Sequence, residues 1–188
     1  MRIIGGRCKG RGLTPVGKGD ASAHLRPTTD RVRESLFSML EGGRFGDPIE
    51  NAPVLDLFAG TGALGLEALS RGAASVTFVE NGRPALRLLT ANIAKTRAEE
   101  ACTVLRQDAT RLGARDGAPA SLVFLDPPYG TGKGSVALAR ALSGGWLAKH
   151  ALVVWEDDAE QDAPTGFSKR DARRFGQTWL TFLAVNDV

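Results

Sequence analysis

The side chains best suited to chemistry stand at four consecutive positions, Asp126, Pro127, Pro128 and Tyr129. They directly follow the apolar residues 121–125, so they would leave the carboxyl end of a buried strand, where open α/β sheets bind ligands. Because proline has a fixed φ and no backbone N–H, the two prolines would form a rigid loop with outward carbonyl oxygens. The Asp126 carboxylate and the Pro127 carbonyl would then accept both hydrogens of one planar amine, and Tyr129 would stack on the attached ring.

Such a loop suits the exocyclic amine of a nucleobase, which is a poor nucleophile because its lone pair is delocalised into the ring. Two acceptors would pull the nitrogen toward tetrahedral geometry and turn its lone pair toward an electrophile, by orientation and electrostatics and without a covalent intermediate. A base inside a duplex cannot reach the loop, which implies a flipped or unpaired nucleotide. The alternative is a strand-terminating turn, since Asp-Pro-Pro suits turns in any protein.

A second run of residues with a possible functional role lies at residues 54–65, where an apolar stretch precedes Gly60, Gly62 and Gly65. A strand, a glycine turn and a helix in this order are typical of a cradle for a nucleotide-like cofactor. Glycines of this kind serve nicotinamide, flavin and methyl-donor enzymes alike, and they also allow a helix to pack tightly on a sheet.

Two carboxylates narrow the choice of cofactor. Asp56 precedes the glycines, where a carboxylate would repel a pyrophosphate but attract the amino group or sulfonium of S-adenosylmethionine. Glu80 ends the next apolar run, about 20 residues after Gly60, which suits a carboxylate that bonds both ribose hydroxyls. Dinucleotide enzymes share the second feature, so only Asp56 favours the methyl donor.

Alternating strand and helix patterns from residue 53 onward predict the elements that must position these groups, in a parallel α/β sheet. The last two apolar runs turn at Gly176 and predict an antiparallel hairpin at the edge of the sheet. The predicted strands after the first are 75–80, 102–106, 121–125, 151–155, 167–175 and 178–185, and the predicted helices are 63–70, 84–95 and 135–142.

The amino-terminal residues carry an excess of positive charge. The first 33 residues hold eight Lys or Arg against two Asp, whereas the net charge of the whole 188-residue chain is only +3. Residues 2–4 and 12–16 predict a hairpin around a turn with Arg7, Lys9 and Arg11, which alternate and would share one strand face. Such a face could follow RNA phosphates, although a solvated basic tail has the same composition.

A helix should begin near residue 30, with Thr28, Thr29 or Asp30 as its cap and an apolar stripe formed by Val32, Leu36 and Leu40. The two cysteines lie far apart and are expected to be free thiols in a cytoplasmic protein, and the two histidines are too few to predict a metal site. No apolar run approaches the length of a membrane span.

Longer runs of the sequence resemble the RsmD family of bacterial 16S rRNA guanine-N2 methyltransferases, in order and over nearly the whole chain. The runs are MRIIGG from residue 1, KGR from residue 9, RPTTDRVRESLF from residue 26, LDLFAGTGALGLEALSRGA from residue 55 and FLDPPY from residue 124. The resemblance implies a Rossmann-like, seven-stranded methyltransferase sheet with a small amino-terminal hairpin and helix. It also implies S-adenosylmethionine as donor and a defined guanine of 16S rRNA, in the assembling or assembled small subunit, as target of a monomeric enzyme.

Carried over by motif, the resemblance assigns three sets of site residues. Donor-binding positions would be Asp56, Phe58, Ala59, Gly60, Thr61, Gly62, Glu80, Asn81, Asp108 and Ala109, although Asp108 could instead cap the turn that follows it. The guanine amine would meet Asp126, Pro127, Pro128 and Tyr129. RNA would contact Arg7, Lys9, Arg11, Arg26, Thr28, Arg31 and Arg33, although Arg26, Arg31 and Arg33 could equally be charges on a helix surface.

We therefore divide the chain into an RNA-contacting extension, residues 1–43, and a methyltransferase domain, residues 44–188. A DNA adenine-N6 methyltransferase can carry the same tetrapeptide, but the chain leaves little room for a separate duplex-reading domain. Asp56 and the lack of a hydride-transfer acid or base disfavour a nicotinamide-dependent oxidoreductase. The intact tetrapeptide disfavours an inactive RNA-binding assembly factor.

Overall fold

The computed structural model describes residues 1–14 and 29–187, which form an α/β fold with one seven-stranded sheet. The helices of this part are α1 (Asp30–Glu41), α2 (Ala63–Ser70), α3 (Arg83–Thr96) and α4 (Lys133–Ser143). The strands are β1 (Pro53–Leu57), β2 (Ser75–Val79), β3 (Cys102–Leu105), β4 (Ala120–Leu125), β5 (Leu147–Asp157), β6 (Phe167–Phe175) and β7 (Thr178–Val185). The predicted fold class is confirmed.

The strand order is β3-β2-β1-β4-β5-β7-β6. The first five strands pair in parallel, whereas β7 runs antiparallel to both β5 and β6, so the predicted hairpin forms the edge of the sheet. The direction of winding reverses between β1 and β4, and ligands of open α/β sheets bind at the carboxyl ends of the strands beside such a switch point.

Two apolar cores cover the two faces of the sheet, because alternate residues of a strand point to opposite sides. Val54 of β1 packs in the core with α1, α2 and α3, whereas its neighbour Leu55 packs in the core with α4. Parallel strands buried on both faces read as continuous apolar runs, which is why their positions could be predicted.

The largest difference from the predicted elements lies in β5, which begins four residues earlier than the apolar run 151–155 indicates. The exposed Lys149 and His150 lie directly before that run, and His150 takes a left-handed φ of 59°. The pairing of β4 with β5 shifts register at this point, so the early part of the strand carries no hydrophobic pattern.

The predicted amino-terminal hairpin is only partly present. One antiparallel bridge joins Arg2 to Gly12, with Ile3 donating its N–H to the Arg11 carbonyl at 3.0 Å. Its tip is a 3₁₀ turn, Gly6–Cys8, so the expectation that Arg7, Lys9 and Arg11 lie along one extended strand face is wrong.

Contacts with α2 explain that departure from an extended strand. The backbone N–H groups of Ile4 and Gly5 both donate to the Glu67 carboxylate at 2.8 Å, and that of Cys8 donates to Ser70 Oγ at 2.9 Å. Gly6 has a φ of +69°, and a β-carbon there would lie 1.8 Å from the Ser70 carbonyl oxygen, so only glycine fits. The segment 1–14 is therefore held against the sheet domain by hydrogen bonds, and Ile3 is fully buried in the shared core.

No helix within residues 1–14 and 29–187 is long and apolar enough to cross a membrane. The same residues contain no group of three or more His, Cys, Asp or Glu side chains that could hold a metal ion.

Candidate active site

The glycine turn after β1 reverses the chain within five residues and starts α2. Phe58, Gly60 and Gly62 all have a positive φ, at 60°, 55° and 76°, and Gly62 is the residue that precedes the first turn of the helix. Glycine tolerates this backbone conformation without cost, whereas Phe58 holds it with strain. The turn brings backbone N–H groups and the amino end of α2 to the carboxyl edge of the sheet, as a cofactor cradle requires.

Gly65 allows α2 to lie directly on the sheet. A β-carbon at this position would lie 2.4 Å from Cε1 of Phe78 and 2.8 Å from Cγ1 of Val76, both on β2. We expect Gly65→Ala to lower the free energy of unfolding by about 2 kcal/mol, because overpacking forces the helix away from the sheet. Thermal unfolding checks this value. Ala63→Gly, a change of similar size at a half-buried site of the same helix, is the control and should lose only about 1 kcal/mol.

The Glu80 carboxylate braces the glycine turn from the end of β2. Its Oε2 accepts the N–H of Gly60 at 2.8 Å, and its Oε1 accepts those of Asn81 and Gly82 at 2.9 and 2.7 Å. The side chain remains partly exposed, and Oε2, which accepts only one of these three N–H groups, has a second lone pair. The predicted contact with ribose hydroxyls stays a prediction, and the observed role is to hold the turn in shape.

Asp56 lies beneath the same turn, inside β1. It is 2% exposed, and its Oδ2 accepts the N–H of Gly65 at 3.0 Å. Burial raises the pKa of Asp56 to about 8 and outweighs the opposing effect of the Gly65 hydrogen bond, and the charge of Glu80 adds a smaller rise. The carboxyl therefore ionises most readily when a positive charge is close.

Asp108 follows β3 and caps the 3₁₀ turn Ala109–Arg111. Its Oδ1 accepts the N–H of Thr110 at 2.8 Å and the Thr110 hydroxyl at 2.7 Å, and these bonds hold the pKa of Asp108 below its usual value. The structure thus shows Asp108 as the cap of this turn, which is the alternative given above. A donor contact of Asp108 and of the buried Ala109 stays a prediction.

Asp126 stands beside the cradle because β4 is the neighbour of β1. Leu57 pairs with Leu125, which in turn pairs with Trp155 of β5, so the next residues of the three strands are Phe58, Asp126 and Glu156. The N–H of Asp126 donates to the Leu57 carbonyl at 3.3 Å. The tetrapeptide thus leaves the sheet one strand away from the glycine turn.

Acidic groups converge at these strand ends. Burial raises the pKa of Asp126 well above its usual value, and the charges of Glu156, Asp56 and Asp157 add to that shift. Within the described ranges, no ion pair joins a Lys or Arg to Asp56 or Asp126. A site with this charge pattern favours a cationic ligand and disfavours a phosphate.

Tyr129 is held by the end of β5. Its hydroxyl donates to Glu156 Oε1 at 3.4 Å, and Glu156 is 3% exposed. Burial and the Glu156 charge raise the pKa of Tyr129, so the phenol stays protonated and keeps its donor. The Pro128 carbonyl accepts the Thr131 hydroxyl at 2.6 Å, which fixes the loop after the prolines.

The predicted RNA-contacting residues separate into three groups. Arg7, Lys9, Arg11 and Arg31 are exposed and remain available to a ligand, with Arg11 Nη1 also donating to the Lys95 carbonyl at 2.7 Å. Arg26 and Thr28 lie outside the described residues. Arg33 is fully buried, so the expectation that it contacts RNA is wrong.

Arg33 belongs instead to a buried polar network that the sequence reading missed. Its Nη2 donates to Asp30 and to the Arg2 carbonyl at 2.6 and 2.8 Å, and its Nη1 lies 3.7 Å from Glu67 Oε2. Glu67 is also fully buried and accepts the Nε–H of Arg71 at 2.8 Å. The available signal was Glu67 itself, an acidic residue inside an otherwise apolar helix.

A second missed residue joins the amino-terminal segment to the cradle. Asn92 of α3 is fully buried, and its Oδ1 accepts the N–H of Thr14 at 2.6 Å. Its Nδ2 donates to the Thr61 carbonyl in the glycine turn at 3.0 Å. No sequence signal pointed to its two partners, because they come from the amino-terminal segment and from the glycine turn.

Comparisons with known proteins agree with this geometry. The model of a family described as conserved hypothetical protein 95 matches residues 1–184. The chain is 44% identical over 165 residues to ribosomal RNA small subunit methyltransferase D of Escherichia coli, covering 88% of this chain and 78% of that one. It is 36% identical over 167 residues to the putative rRNA methyltransferase YlbH of Bacillus subtilis, covering 87% and 86%.

Among solved structures, the fold is similar to that of the putative methyltransferase yhhF from Escherichia coli. The TM-score is 0.82 at 39% sequence identity, over 99% of this chain and 98% of that chain.

Proposed function

The chain belongs to the family described as conserved hypothetical protein 95, and from that premise we propose that it methylates the exocyclic N2 amine of a guanine in 16S rRNA, with S-adenosylmethionine as donor. The observation that carries the proposal is the adjacency of the Asp126 loop to the glycine turn, through the hydrogen bond from Asp126 to Leu57. Relatives named as small-subunit rRNA methyltransferases support the substrate.

The residues at the cradle fit S-adenosylmethionine, which supplies an electrophilic methyl group on a sulfonium. The ligand carries net positive charge, and the buried carboxyls of Asp56 and Asp126 favour a cation. Gly60, at a φ of 55°, has no side chain, so the ligand can approach the backbone of the turn at this position. Glu80 at the end of β2 would bind the ribose, and Asp108 and Ala109 at the end of β3 would border the adenine.

The Asp126 loop would hold the guanine. Asp126 and the Pro127 carbonyl accept the two hydrogens of the N2 amine, and the Tyr129 ring stacks on the base in an orientation fixed by Glu156. The nitrogen would gain the methyl group as the sulfur–methyl bond of the donor breaks and S-adenosylhomocysteine is released, and it would lose one proton. Because the pKa of Asp126 is raised, its carboxylate is a stronger base than an ordinary aspartate and can accept that proton.

The proposal also includes where the enzyme acts, its oligomeric state and the residues that contact RNA. The enzyme acts in the cytoplasm as a monomer on 16S rRNA within the assembling or assembled small subunit. Residues 1–43 form the RNA-contacting extension, through Arg7, Lys9, Arg11, Arg26, Thr28 and Arg31, and residues 44–188 carry the methyltransferase site. The exposed positions of Arg7, Lys9 and Arg11 support the proposed role of this extension in RNA contact.

Donor binding should depend on pH. A bound cation favours the ionised form of Asp56, whose pKa is about 8 in the free protein, so binding near neutral pH releases protons and the affinity rises with pH. We expect the affinity to increase about tenfold between pH 6 and pH 8. Calorimetry in buffers of different ionisation enthalpy measures both quantities.

S-adenosylhomocysteine, which lacks the sulfonium charge, is the control ligand and should show a smaller pH dependence. An equal pH dependence of affinity for the two ligands would show that the ionisation of Asp56 does not respond to the sulfonium charge.

The test of the proposed function is methyl transfer from labelled S-adenosylmethionine to undermethylated small subunits, naked 16S rRNA and duplex DNA in parallel. Label recovered as N2-methylguanosine from subunits or rRNA is the expected result. Label recovered as N6-methyladenine from DNA would contradict the proposal and would instead indicate a DNA adenine-N6 methyltransferase. Donor binding with no transfer to any of the three would contradict the substrate.

A further inference from the structure

The edge strand β6 carries a basic surface that is separate from the amino-terminal residues. Arg173 and Arg174 stand at its carboxyl end and are exposed, and Arg44 from the turn after α1 lies beside them. Arg44 and Arg173 approach the same carboxylate, Asp171, at 3.3 and 2.9 Å. Asp171 is only 8% exposed, whereas the Arg44 and Arg173 side chains are 53% and 46% exposed, so two positive charges face solvent around one shielded negative charge.

Strand register places this surface at the same edge of the sheet as the Asp126 loop. Arg173 pairs with Leu180 of β7, Leu180 pairs with Glu156 of β5, and Glu156 is level with Asp126. Arg173 and Asp126 therefore lie on one row across four neighbouring strands, roughly 14 Å apart at a strand spacing of about 4.8 Å. That distance is within the reach of a nucleotide chain whose target base occupies the Asp126 loop.

Arg173 and Arg174 also point in directions that suit binding to a phosphate backbone. Successive strand residues point to opposite faces, and Arg173 shares the Arg44 face through Asp171, so Arg174 points to the other face. Arg174 Nε donates to the Gly176 carbonyl at 2.9 Å, and it forms no ion pair among residues 1–14 and 29–187. The strand end thus offers guanidinium groups on both sides of the edge, and guanidinium binds phosphate in bidentate geometry.

We propose that Arg44, Arg173 and Arg174 form a phosphate-binding surface for the rRNA strand next to the target guanine. The inference rests on the proposed function, because it takes the Asp126 loop as the place where the base is held. The other end of β6 is different, since Glu160 and Asp162 approach Lys169 at 2.7 and 3.6 Å and offset the two charges of Lys169 and Arg170. At the carboxyl end, Asp171 offsets only one of the three arginine charges. Charge complementarity with a polyanion is therefore concentrated at the end beside the active site.

The test compares two double variants of the full chain. R173Q/R174Q removes two charges beside the active site, and K169Q/R170Q removes two charges from the same strand about 13 Å away. That distance exceeds the Debye length of about 8 Å at physiological salt, so the second pair should matter little. R174Q alone is a third variant, which breaks no ion pair in the part of the chain that the structure describes.

For R173Q/R174Q, we expect the KM for 16S rRNA to rise about tenfold, with kcat at saturating RNA and donor affinity unchanged. The slope of log affinity against log salt, measured with transcribed 16S rRNA, should become shallower by about 1.4, which corresponds to two phosphate contacts on a single strand. R174Q should show about half of that change in slope, and K169Q/R170Q should match the unaltered protein within twofold.

An unchanged RNA affinity and salt slope in R173Q/R174Q would overturn the surface, because the arginines would then only protect a sheet edge from pairing with another strand. Equal losses in the two double variants would also overturn it, because the effect would be one of total charge. If the unaltered protein binds rRNA through these arginines but transfers no methyl group, the proposed function fails while the surface stands.

Discussion

Replacement of Asp126 by alanine should lower kcat/KM for rRNA methylation by about 1000-fold, which equals about 4 kcal/mol of transition-state stabilisation. The alanine removes one of the two acceptors that hold the guanine amine and one of the acidic groups at the strand ends. Asp56 and the Glu80 braces of the glycine turn remain, so the donor should still bind. Single-turnover transfer at saturating S-adenosylmethionine, with donor affinity from calorimetry, checks both parts.

Asp126→Asn is the matched variant, because it keeps the shape of the side chain and one acceptor oxygen, while it removes the charge and replaces the other oxygen by an NH2 group. If orientation of the amine dominates, Asp126→Asn should lose only about tenfold in kcat/KM, whereas Asp126→Ala loses about 1000-fold. If proton removal by the carboxylate dominates, the two variants should be equally slow.

The pH profile provides a second readout of the same group. Because burial and neighbouring acids raise the pKa of Asp126, its carboxyl is protonated at a pH where an ordinary aspartate is charged. Activity should therefore fall as pH decreases through that raised pKa, above the usual value of about 3.9, and the acid limb should disappear in Asp126→Asn. An alanine variant with unchanged turnover at every pH would remove Asp126 from the reaction.

The elements could be predicted best where glycine and proline mark their ends. The helix Ala63–Ser70 and the strands Phe167–Phe175 and Thr178–Val185 have the predicted bounds, since Gly62, Gly72 and Gly176 punctuate them. The start of β5 could not be predicted, because two polar residues and a register shift stand there in place of an apolar pattern.

The position of the site followed from one general rule, that parallel strands end at the same edge of a sheet. That rule places Asp56, Glu80 and Asp126 at the same edge of the sheet, and the strand order β2-β1-β4 then makes them neighbours. The hydrogen bond from Tyr129 to Glu156 could not be predicted, because it depends on β5 being the neighbour of β4. The basic end of β6 depends likewise on the antiparallel register of the last two strands.

Arg33 shows the limit of reading charge from sequence. It stands two residues from the exposed Arg31, and a helix with several arginines is usually read as a solvated or nucleic-acid-binding surface. Its partners are Asp30, the Arg2 carbonyl and Glu67, which come from three separate segments of the chain. Only the tertiary structure brings these segments together.

Arg33→Ala should therefore be a stability variant, with a loss of about 3 kcal/mol in the free energy of unfolding. The substitution leaves a cavity among α1, α2 and residues 2–5, removes the donor to the Arg2 carbonyl and weakens the compensation of the buried Glu67 charge. Arg71 still donates to Glu67, which keeps the loss at the low end of the range for breaking a buried ion pair. For a chain of this size, the melting temperature should fall by roughly 10 °C.

Two controls separate this structural role from RNA binding. Arg31→Ala removes an exposed charge from the same helix and should change stability by less than about 0.5 kcal/mol, while it weakens rRNA binding if the predicted contact exists. Arg33→Met fills the volume of the side chain without its charge and should recover about half of the lost stability. A stable Arg33→Ala protein with weakened rRNA binding would contradict the buried network and return Arg33 to the RNA surface. The expected pattern instead ties the amino-terminal segment, α1 and α2 into one packed unit beneath the glycine turn.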